Sequence, residues 1–316
     1  MSKIFDSLLR PAIVAAAGSE RIKHASQRLP VTDKVVTRFV PGETETDALD
    51  AIESCIAAGL SVTIDYLGED TVDEAQATAT VAAYLSLLAQ MATLHPTRPG
   101  QLEVSLKLTA LGQSLPRHGA KIARENAHTI CSAAREAGVL VTVDAEDHTT
   151  VDERLEIIRS LREEFDDLGT VLQAYLRRTE DDCAEFAASG ARIRLCKGAY
   201  AEPAHAAYQS REQIDEAYLR CLRILMKGNG YPMVASHDPV MIAAAAQMAR
   251  QYDRTADSWE HQMLYGIRAD EQLRLAESGS SVRVYIPYGQ EWYGYFVRRL
   301  AEKPANLGFF LRALAG

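Results

Sequence analysis

The chain has 316 residues, of which 47% are hydrophobic and 24% charged, a composition that excludes a largely disordered protein and supplies ample material for a core. Its formal net charge of −9 argues against a nucleic-acid-binding surface, which needs an excess of lysine and arginine. No stretch approaches the roughly 20 consecutive apolar residues of a membrane-spanning helix, so we expect any membrane contact to be peripheral.

The N-terminal segment has no regular alternation of strand and helix patterns. A short apolar run from Pro11 to Gly18 follows Asp6 and Arg10 and lacks the leading positive charges of a signal peptide. Residues 34–40 form a candidate extra strand or extended piece. We therefore predict a helical or extended arm over residues 1–45 and a separate folded unit over residues 46–316.

From residue 60 onward, short β-branched or apolar runs alternate with longer helical patterns, and we count eight such pairs. The predicted strands cover Leu60–Tyr66, Leu102–Leu108, Val139–Asp144, Thr170–Tyr175, Arg192–Lys197, Pro232–His237, Ser258–Leu264 and Val282–Ile286. The predicted helices cover residues 74–94, 117–137, 150–166, 180–189, 211–228, 239–252, 268–278 and 290–303.

This alternation predicts an α/β fold with a parallel sheet, because strands joined by helices of this length need right-handed crossovers. Eight units favour a closed (βα)8 TIM-type barrel, with a doubly wound open sheet as the alternative. Glycines mark the expected helix ends before several strands, in the left-handed position that follows a helix. They are Gly59, Gly138, Gly190, Gly230 and Gly279.

The last predicted helix has an unusual polar face. Tyr295, Arg298, Arg299 and Glu302 recur at i, i+3, i+4 and i+7, which places them on one side of the helix. Two adjacent guanidinium groups suit an anion with two oxygens, such as a carboxylate or a phosphate. This face therefore lies over a polar cavity, or, in the alternative interpretation, it is an outer face in solvent.

Polar side chains also close the predicted strands. In a barrel of this kind the active site forms at the C-terminal ends of the strands. Burying so many charges without mutual pairing would cost several kcal/mol per ion, so we expect ion pairs and a bound polar molecule there. The residues at these positions are Lys107, Asp144, Gln173, Arg194, Lys197, Ser236, His237, Gln262 and Tyr285, with the apolar Leu264 beside Gln262 at the end of the seventh strand.

Several common kinds of site are not indicated. The five cysteines form no CxxC pair and do not cluster with histidine, which is typical of a reduced, cytoplasmic protein without disulfides or a zinc site. We expect no metal, because His237 and His261 lack a metal-ligand spacing. The chain has neither a GxGxxG turn nor a GxxxxGK[ST] loop for a nucleotide. A lysine Schiff-base aldolase, with Lys107 or Lys197 as the amine, remains an alternative.

The strand ends and the last helix carry a series of short motifs in a fixed order. They read RFVPGET, IDYLGE, SLKLTALG, VDAED, QAYLRRT, RLCKGAY, ASHD, EHQMLYGI and VYIPYGQEWYGYFVRRLAEKPAN. In this order they resemble the proline dehydrogenase family, the FAD-dependent enzymes of proline catabolism. The resemblance covers most of the chain from about residue 37. It implies a (βα)8 barrel whose last helix lies over the C-terminal mouth.

The resemblance also implies roles for individual residues. Arg298 and Arg299 match the pair that grips the substrate carboxylate, and Lys107 matches the lysine that assists them. Asp144 and Arg194 match catalytic positions, with Arg194 beside the flavin. Residues that match the enclosure of the substrate ring are Tyr200, Leu264, Tyr285 and Tyr295. Further matches to FAD contacts are Ala145, Gln173, Lys197, Gly198, Ala199, Ser236 and His237, with Glu302 as another polar contact.

By the same resemblance, the expected reaction is oxidation of L-proline to Δ1-pyrroline-5-carboxylate, with electrons passed to a membrane quinone. A contact with the inner face of the cytoplasmic membrane and a pathway partnership with pyrroline-5-carboxylate dehydrogenase are compatible with it. Two positions depart from the family pattern: Asp238 stands where an asparagine is common, and Ala201 stands where large bifunctional relatives carry tryptophan. A proline-binding sensor that uses FAD occupancy as a signal is the non-catalytic alternative.

Overall fold

The computed structural model describes residues 38–293 and Tyr295. Within them, eight parallel strands close into a barrel in chain order, because β8 pairs with β1 over the whole length of β1, from Ser61 opposite Arg283 to Tyr66 opposite Tyr288. This closure confirms the predicted TIM-type barrel and excludes the open sheet. The predicted arm up to residue 37 and the last predicted helix beyond Tyr295 lie outside the described residues.

The strands form the inner wall of the barrel. They are β1 Ser61–Tyr66, β2 Leu102–Leu106, β3 Leu140–Val143, β4 Gly169–Gln173, β5 Arg192–Cys196, β6 Tyr231–Ala235, β7 Glu260–Leu264 and β8 Val282–Tyr288. The helices between them are α1 Glu45–Ala57, α2 Glu74–Met91, α3 Gly119–Ala137, α4 Val151–Arg162, α5 Thr179–Ala188, α6 Arg211–Lys227, α7 Pro239–Gln251 and α8 Ala269–Glu277. Trp292, Tyr293 and Tyr295 are helical too, at the start of the predicted last helix.

All eight predicted strands are present, with ends that differ by up to two residues. Strands β2, β3 and β5 end one or two residues earlier than predicted, at Leu106, Val143 and Cys196, so Lys107, Asp144 and Lys197 each directly follow a strand. Helix α1 is not among the predicted helices. It begins at a capping box in which Thr44 Oγ1 accepts from the Asp47 amide at 3.2 Å and Asp47 accepts from the Thr44 amide at 3.0 Å. Its buried Ala48 and Ile52 belong to the barrel's core.

One predicted helix end is wrong. Gly230 does not have a positive φ, whereas the other four glycines do. Helix α6 ends at Lys227, and Arg254 caps it instead, donating to the carbonyl oxygens of Leu225 at 3.1 Å and Met226 at 2.9 Å. At Gly230 the requirement is space, because a Cβ there would lie 2.3 Å from the Ala191 carbonyl oxygen.

The interior of the barrel is polar. TIM-barrel interiors are dominated by bulky branched apolar residues. Here the strands alternate, with Val62 and Ile64 in the hydrophobic core and Thr63 and Asp65 in polar contacts across the barrel. The ionisable interior side chains comprise four acids and four bases, which are Asp65, Glu103, Asp144, Glu260, Lys107, Arg192, Arg194 and Arg283.

A buried histidine on β7 gives the fold a pH dependence. His261 is 1% exposed, neither ring nitrogen has a hydrogen-bond partner among the described residues, and the ring packs edge-on against Trp259 at 4.6 Å between centroids. Burial lowers the pKa of His261 to about 4 from its usual 6.5. Between these pH values the unfolded chain binds a proton that the folded chain does not, so stability is lost as the pH falls from 6.5 to 4.

We expect His261→Leu to remove this pH dependence. From pH 6.5 to pH 4, the unfolding free energy of the wild type should fall by about 3 kcal/mol more than that of the variant. Urea unfolding of both proteins at intervals of half a pH unit measures it. A difference that stays constant over this range would contradict a neutral, unpartnered His261.

Among the described residues, no helix combines the length and the apolar composition needed to cross a membrane.

Candidate active site

The predicted site residues within residues 38–293 lie near the C-terminal ends of the strands. They are in the second half of a strand or in the segment that follows it, as in Lys107 after β2, Asp144 after β3 and Ser236 after β6. Since all eight strands are parallel, their carboxyl ends meet at one end of the barrel. Arg298, Arg299 and Glu302 lie outside the described residues, so the predicted clamp on the last helix stays a prediction.

Arg194 is the centre of the buried site. It is 5% exposed, and its guanidinium donates from Nη1 to Asp144 Oδ1 at 2.7 Å and from Nη2 to Glu103 Oε1 at 2.8 Å. Its Nε donates to Gln262 Oε1 at 2.5 Å. Contacts with Ser105 Oγ at 3.0 Å and the Thr63 hydroxyl at 3.4 Å engage the remaining N–H groups. All five N–H donors of Arg194 are therefore directed at acceptors of the protein itself.

Asp144 links Arg194 to the aromatic wall of the site. Its second oxygen, Oδ2, accepts from the Tyr285 hydroxyl at 2.6 Å, and the Arg194 guanidinium lies 5.1 Å from the centre of the Tyr285 ring. Burial and the nearby Asp144 carboxylate raise the pKa of Tyr285 well above its usual value. Tyr285 therefore remains a neutral phenol that donates to Asp144.

The positive charge of Lys107 is balanced by neighbouring carboxylates. Its Nζ lies 2.6 Å from both carboxylate oxygens of Asp65 and 3.9 Å from Asp144 Oδ2. Burial lowers the pKa of Lys107, but the attraction of Asp65 and Asp144 outweighs it and leaves the pKa above its usual value. Lys107 is thus a protonated cation, the opposite of the free amine that a Schiff-base aldolase needs. Lys107, Arg194, Asp65 and Asp144 together carry no net formal charge.

A second charged cluster lies at the rim. Lys197 Nζ contacts Asp215 and donates to Asp238 Oδ2 at 2.9 Å, and Arg211 lies 3.6 Å from each of the two carboxylates. Burial opposes ionisation of Asp238, but Lys197 and the Val240 amide outweigh it and hold its pKa below the usual value. Asp238, where the resemblance would lead one to expect asparagine, therefore places a second carboxylate beside Lys197, in addition to that of Asp215.

His237 and Ser236 are fixed by their surroundings. His237 Nε2 accepts from the Leu264 amide at 2.9 Å, and Arg268 donates to the His237 carbonyl oxygen at 2.6 Å. Ser236 Oγ accepts from the Asp238 amide at 3.1 Å. The loop after β6 is thereby joined to the end of β7, so two predicted site residues, His237 and Leu264, are in direct contact.

Gln173 and Gly198 have features that suit a bound ligand. Gln173 is 3% exposed, yet no donor among the described residues reaches its buried Oε1. Buried polar groups normally have a partner, so this oxygen suits a ligand N–H. Gly198 has a φ of +112°, and a Cβ there would lie 2.3 Å from a carbon of the Tyr175 ring, so only glycine fits. Beside it, Ala145, Ala199 and Tyr200 are partly or fully exposed at the mouth.

Four ionic partners were not predicted. They are Asp65 for Lys107, Glu103 for Arg194, Asp215 for Lys197 and Glu260 for Arg283. A signal was present in the strands, because polar residues recur at every second position in Thr63–Asp65, Glu103–Ser105 and Glu260–Gln262. In a buried parallel strand this spacing indicates a polar face inside the barrel.

Tyr295 is the one residue of the predicted polar helix face that the structure describes. It is 6% exposed, which excludes an outer face in solvent at this position. In the described part of the chain, no group of three or more His, Cys, Asp or Glu side chains is arranged to hold a metal.

Comparison with known proteins gives consistent matches. A family model described as proline dehydrogenase matches residues 48–312. Proline dehydrogenase 1 of Bacillus subtilis (strain 168) is 37% identical over 277 residues, which cover 88% of this chain and 89% of that protein. Proline dehydrogenase of Deinococcus radiodurans is 36% identical over 315 residues, which cover 98% and 99% of the two chains.

A solved structure has the same fold. The crystal structure of proline utilization A (PutA) from Bdellovibrio bacteriovorus, inactivated by N-propargylglycine, superposes with a TM-score of 0.77 at 27% identity. The match covers 85% of this chain but only 32% of that one, so the similarity concerns one part of a larger protein.

Proposed function

The chain belongs to the proline dehydrogenase family, and on that premise we propose that it uses FAD to oxidise L-proline to Δ1-pyrroline-5-carboxylate and passes the electrons to a quinone. Proline oxidation is the first step of proline catabolism. The observation that carries the proposal is the charge-balanced group of Lys107, Asp65, Asp144 and Arg194 beneath the Tyr285 ring.

The residues at the mouth fit a flavin. Gln173 offers a buried oxygen that no described donor reaches, Gly198 leaves a backbone surface without a side chain, and the Arg194 and Lys197 cations lie nearby, each paired with carboxylates of the protein. We propose that these residues hold FAD together with Ala145, Ala199, Ser236 and His237. When bound, FAD would accept the hydride from the ring carbon next to the substrate nitrogen.

The protein's own residues would bind the imino acid and exclude water. Leu264 and Tyr285 provide apolar and aromatic surface for the ring methylenes, and Tyr200 and Tyr295 would complete the enclosure. Because Asp65 and Asp144 neutralise Lys107 and Arg194, the described cluster has no surplus positive charge for the substrate carboxylate. We propose that Arg298 and Arg299 supply it, and that Lys107 assists by hydrogen bonding.

A spectrum of the purified protein tests this function. We expect a flavin absorbance band that L-proline bleaches under anaerobic conditions and that a soluble quinone restores. A protein without the band, or with a band that proline leaves unchanged, would contradict the proposal. Proline binding without bleaching would instead support the sensor, and restoration by artificial dyes but not by quinones would contradict only the proposed acceptor.

The compound named for the Bdellovibrio structure offers an independent test. We expect N-propargylglycine to inactivate this protein, since it inactivates a larger protein of which one part has the same fold, and we expect L-proline present during incubation to slow the inactivation. Residual proline-dependent dye reduction after removal of the compound measures the effect. Full activity after prolonged incubation would count against a shared substrate site.

A further inference from the structure

A carboxylate below the mouth holds the central arginine. Glu103, on β2, is fully buried, and its Oε1 accepts from Arg194 Nη2 at 2.8 Å and from the Thr63 hydroxyl at 2.6 Å. Its Oε2 accepts from Arg192. Burial opposes ionisation of Glu103, but Arg192, Arg283 and Arg194 outweigh it and hold its pKa below the usual value. Glu103 is therefore an anion on which two guanidinium groups converge.

Arg194 is also fixed from the side of β7. Gln262 accepts from Arg194 Nε at 2.5 Å and donates through Nε2 to Glu260 Oε1 at 2.6 Å. Glu260 in turn accepts from Arg283 Nε at 2.7 Å. Because the guanidinium is planar and rigid, contacts along its Nε and Nη2 edges determine where its Nη1 edge lies. That edge carries the contact with Asp144 at 2.7 Å.

Stability alone does not account for this cluster. Well-packed apolar residues of similar volume are often as stabilising as a buried ion pair, or more so. Barrel interiors of this type are ordinarily filled with such residues. The network costs the desolvation of several charges, and its contacts nevertheless converge on Arg194. The network is therefore better explained by the need to hold Arg194 in one position.

We propose that Glu103 is a positioning residue for proline oxidation, which holds Arg194 so that its Nη1 edge stays on Asp144 beneath Tyr285. Glu103 lies a layer below the mouth and acts only through Arg194. This proposal rests on the proposed function, because Arg194 has a role in the reaction only if the site oxidises proline.

The test compares Glu103→Gln with Arg192→Met. Both variants remove one charge from the same buried cluster, but only Glu103→Gln removes the charge that holds Arg194. We expect crystal structures to show the Arg194 guanidinium displaced in Glu103→Gln and in place in Arg192→Met. We expect kcat for proline to fall about 100-fold in Glu103→Gln, with KM within about threefold, because small misplacements of catalytic groups cost this much. In Arg192→Met both constants should stay within about threefold.

Several outcomes would overturn the proposal. These are equal losses of kcat in the two variants, an unmoved Arg194 in Glu103→Gln, or a displaced Arg194 with wild-type kcat. If Glu103→Gln does not fold, Thr63→Val replaces it, since it removes the 2.6 Å donor to Glu103, together with the weaker 3.4 Å contact to Arg194, without changing charge. We then expect about a 10-fold fall in kcat, and a wild-type kcat would overturn the proposal. If the wild type did not oxidise proline, the proposed function would fail while the crystal structures still tested the placement of Arg194.

Discussion

Replacing Lys107 with methionine is expected to lower the free energy of unfolding by about 3–5 kcal/mol, because the change leaves Asp65 as a buried charge without its cation. Asp65 is 1% exposed, and both of its oxygens contact Lys107 at 2.6 Å. Asp144 is less affected, since it keeps Arg194 and Tyr285 as partners. Urea unfolding of the protein without cofactor measures the effect.

Two further variants separate stability from substrate binding. The double variant Lys107→Met/Asp65→Asn removes both charges and should recover most of the lost stability, while the KM for proline stays raised about 10-fold or more because the assisting cation is absent. Lys197→Met is the matched control at the rim, where its partners Asp215 and Asp238 have side chains 25% and 15% exposed. We expect it to cost about 1 kcal/mol. Equal losses in Lys107→Met and Lys197→Met would contradict the difference in burial.

Replacing Arg298 or Arg299 with methionine is expected to raise the KM for proline roughly 30-fold or more, because breaking a bidentate contact with a buried carboxylate costs on the order of 2–5 kcal/mol. Lys107 and Arg194 cannot compensate, since Asp65, Asp144 and Glu103 already neutralise them. Substitution by lysine should recover only part of the loss, because a single ammonium lacks the planar fork of donors.

Pyrrolidine, which is proline without its carboxylate, serves as the control substrate for this prediction. We expect the wild type to oxidise it poorly, and we expect the Arg298 and Arg299 variants to handle it no worse than the wild type does. Steady-state dye reduction with both substrates measures the ratio. Wild-type KM values for proline in both variants would show that the two arginines do not form the clamp.

The sequence was sufficient to predict the barrel and to predict which residues lie at its mouth. Periodicity and helix length predicted eight units, and polar strand ends identified Lys107, Asp144 and Tyr285 as neighbours. Helix α1 was missed because no helix was predicted between residue 46 and the first strand, although Thr44 and Asp47 have the spacing of a capping box.

The pairing inside the barrel was not predictable in the same way. Glu103 meets Arg194 across 91 residues, and Thr63 meets it across 131, so no local spacing contains these partnerships. Alternation can place a side chain inside the barrel, but the choice among several interior acids depends on the stagger of the strands. The roles assigned to Gln173, Gly198 and the other expected FAD contacts still rest on the family resemblance and remain predictions.

The polar interior also constrains how the chain reaches its native state. A barrel with apolar layers can bury part of its core when only some strands have assembled, whereas here β1 to β4 and the residue after β3 would hold Glu103 and Asp144 without Arg194, which arrives with Arg192 on β5. Half-barrel intermediates should therefore have low stability. We expect the backbone amides of all eight strands to exchange with deuterium in a single cooperative opening. Protection that persisted in one half after the other had exchanged would argue instead for stepwise assembly.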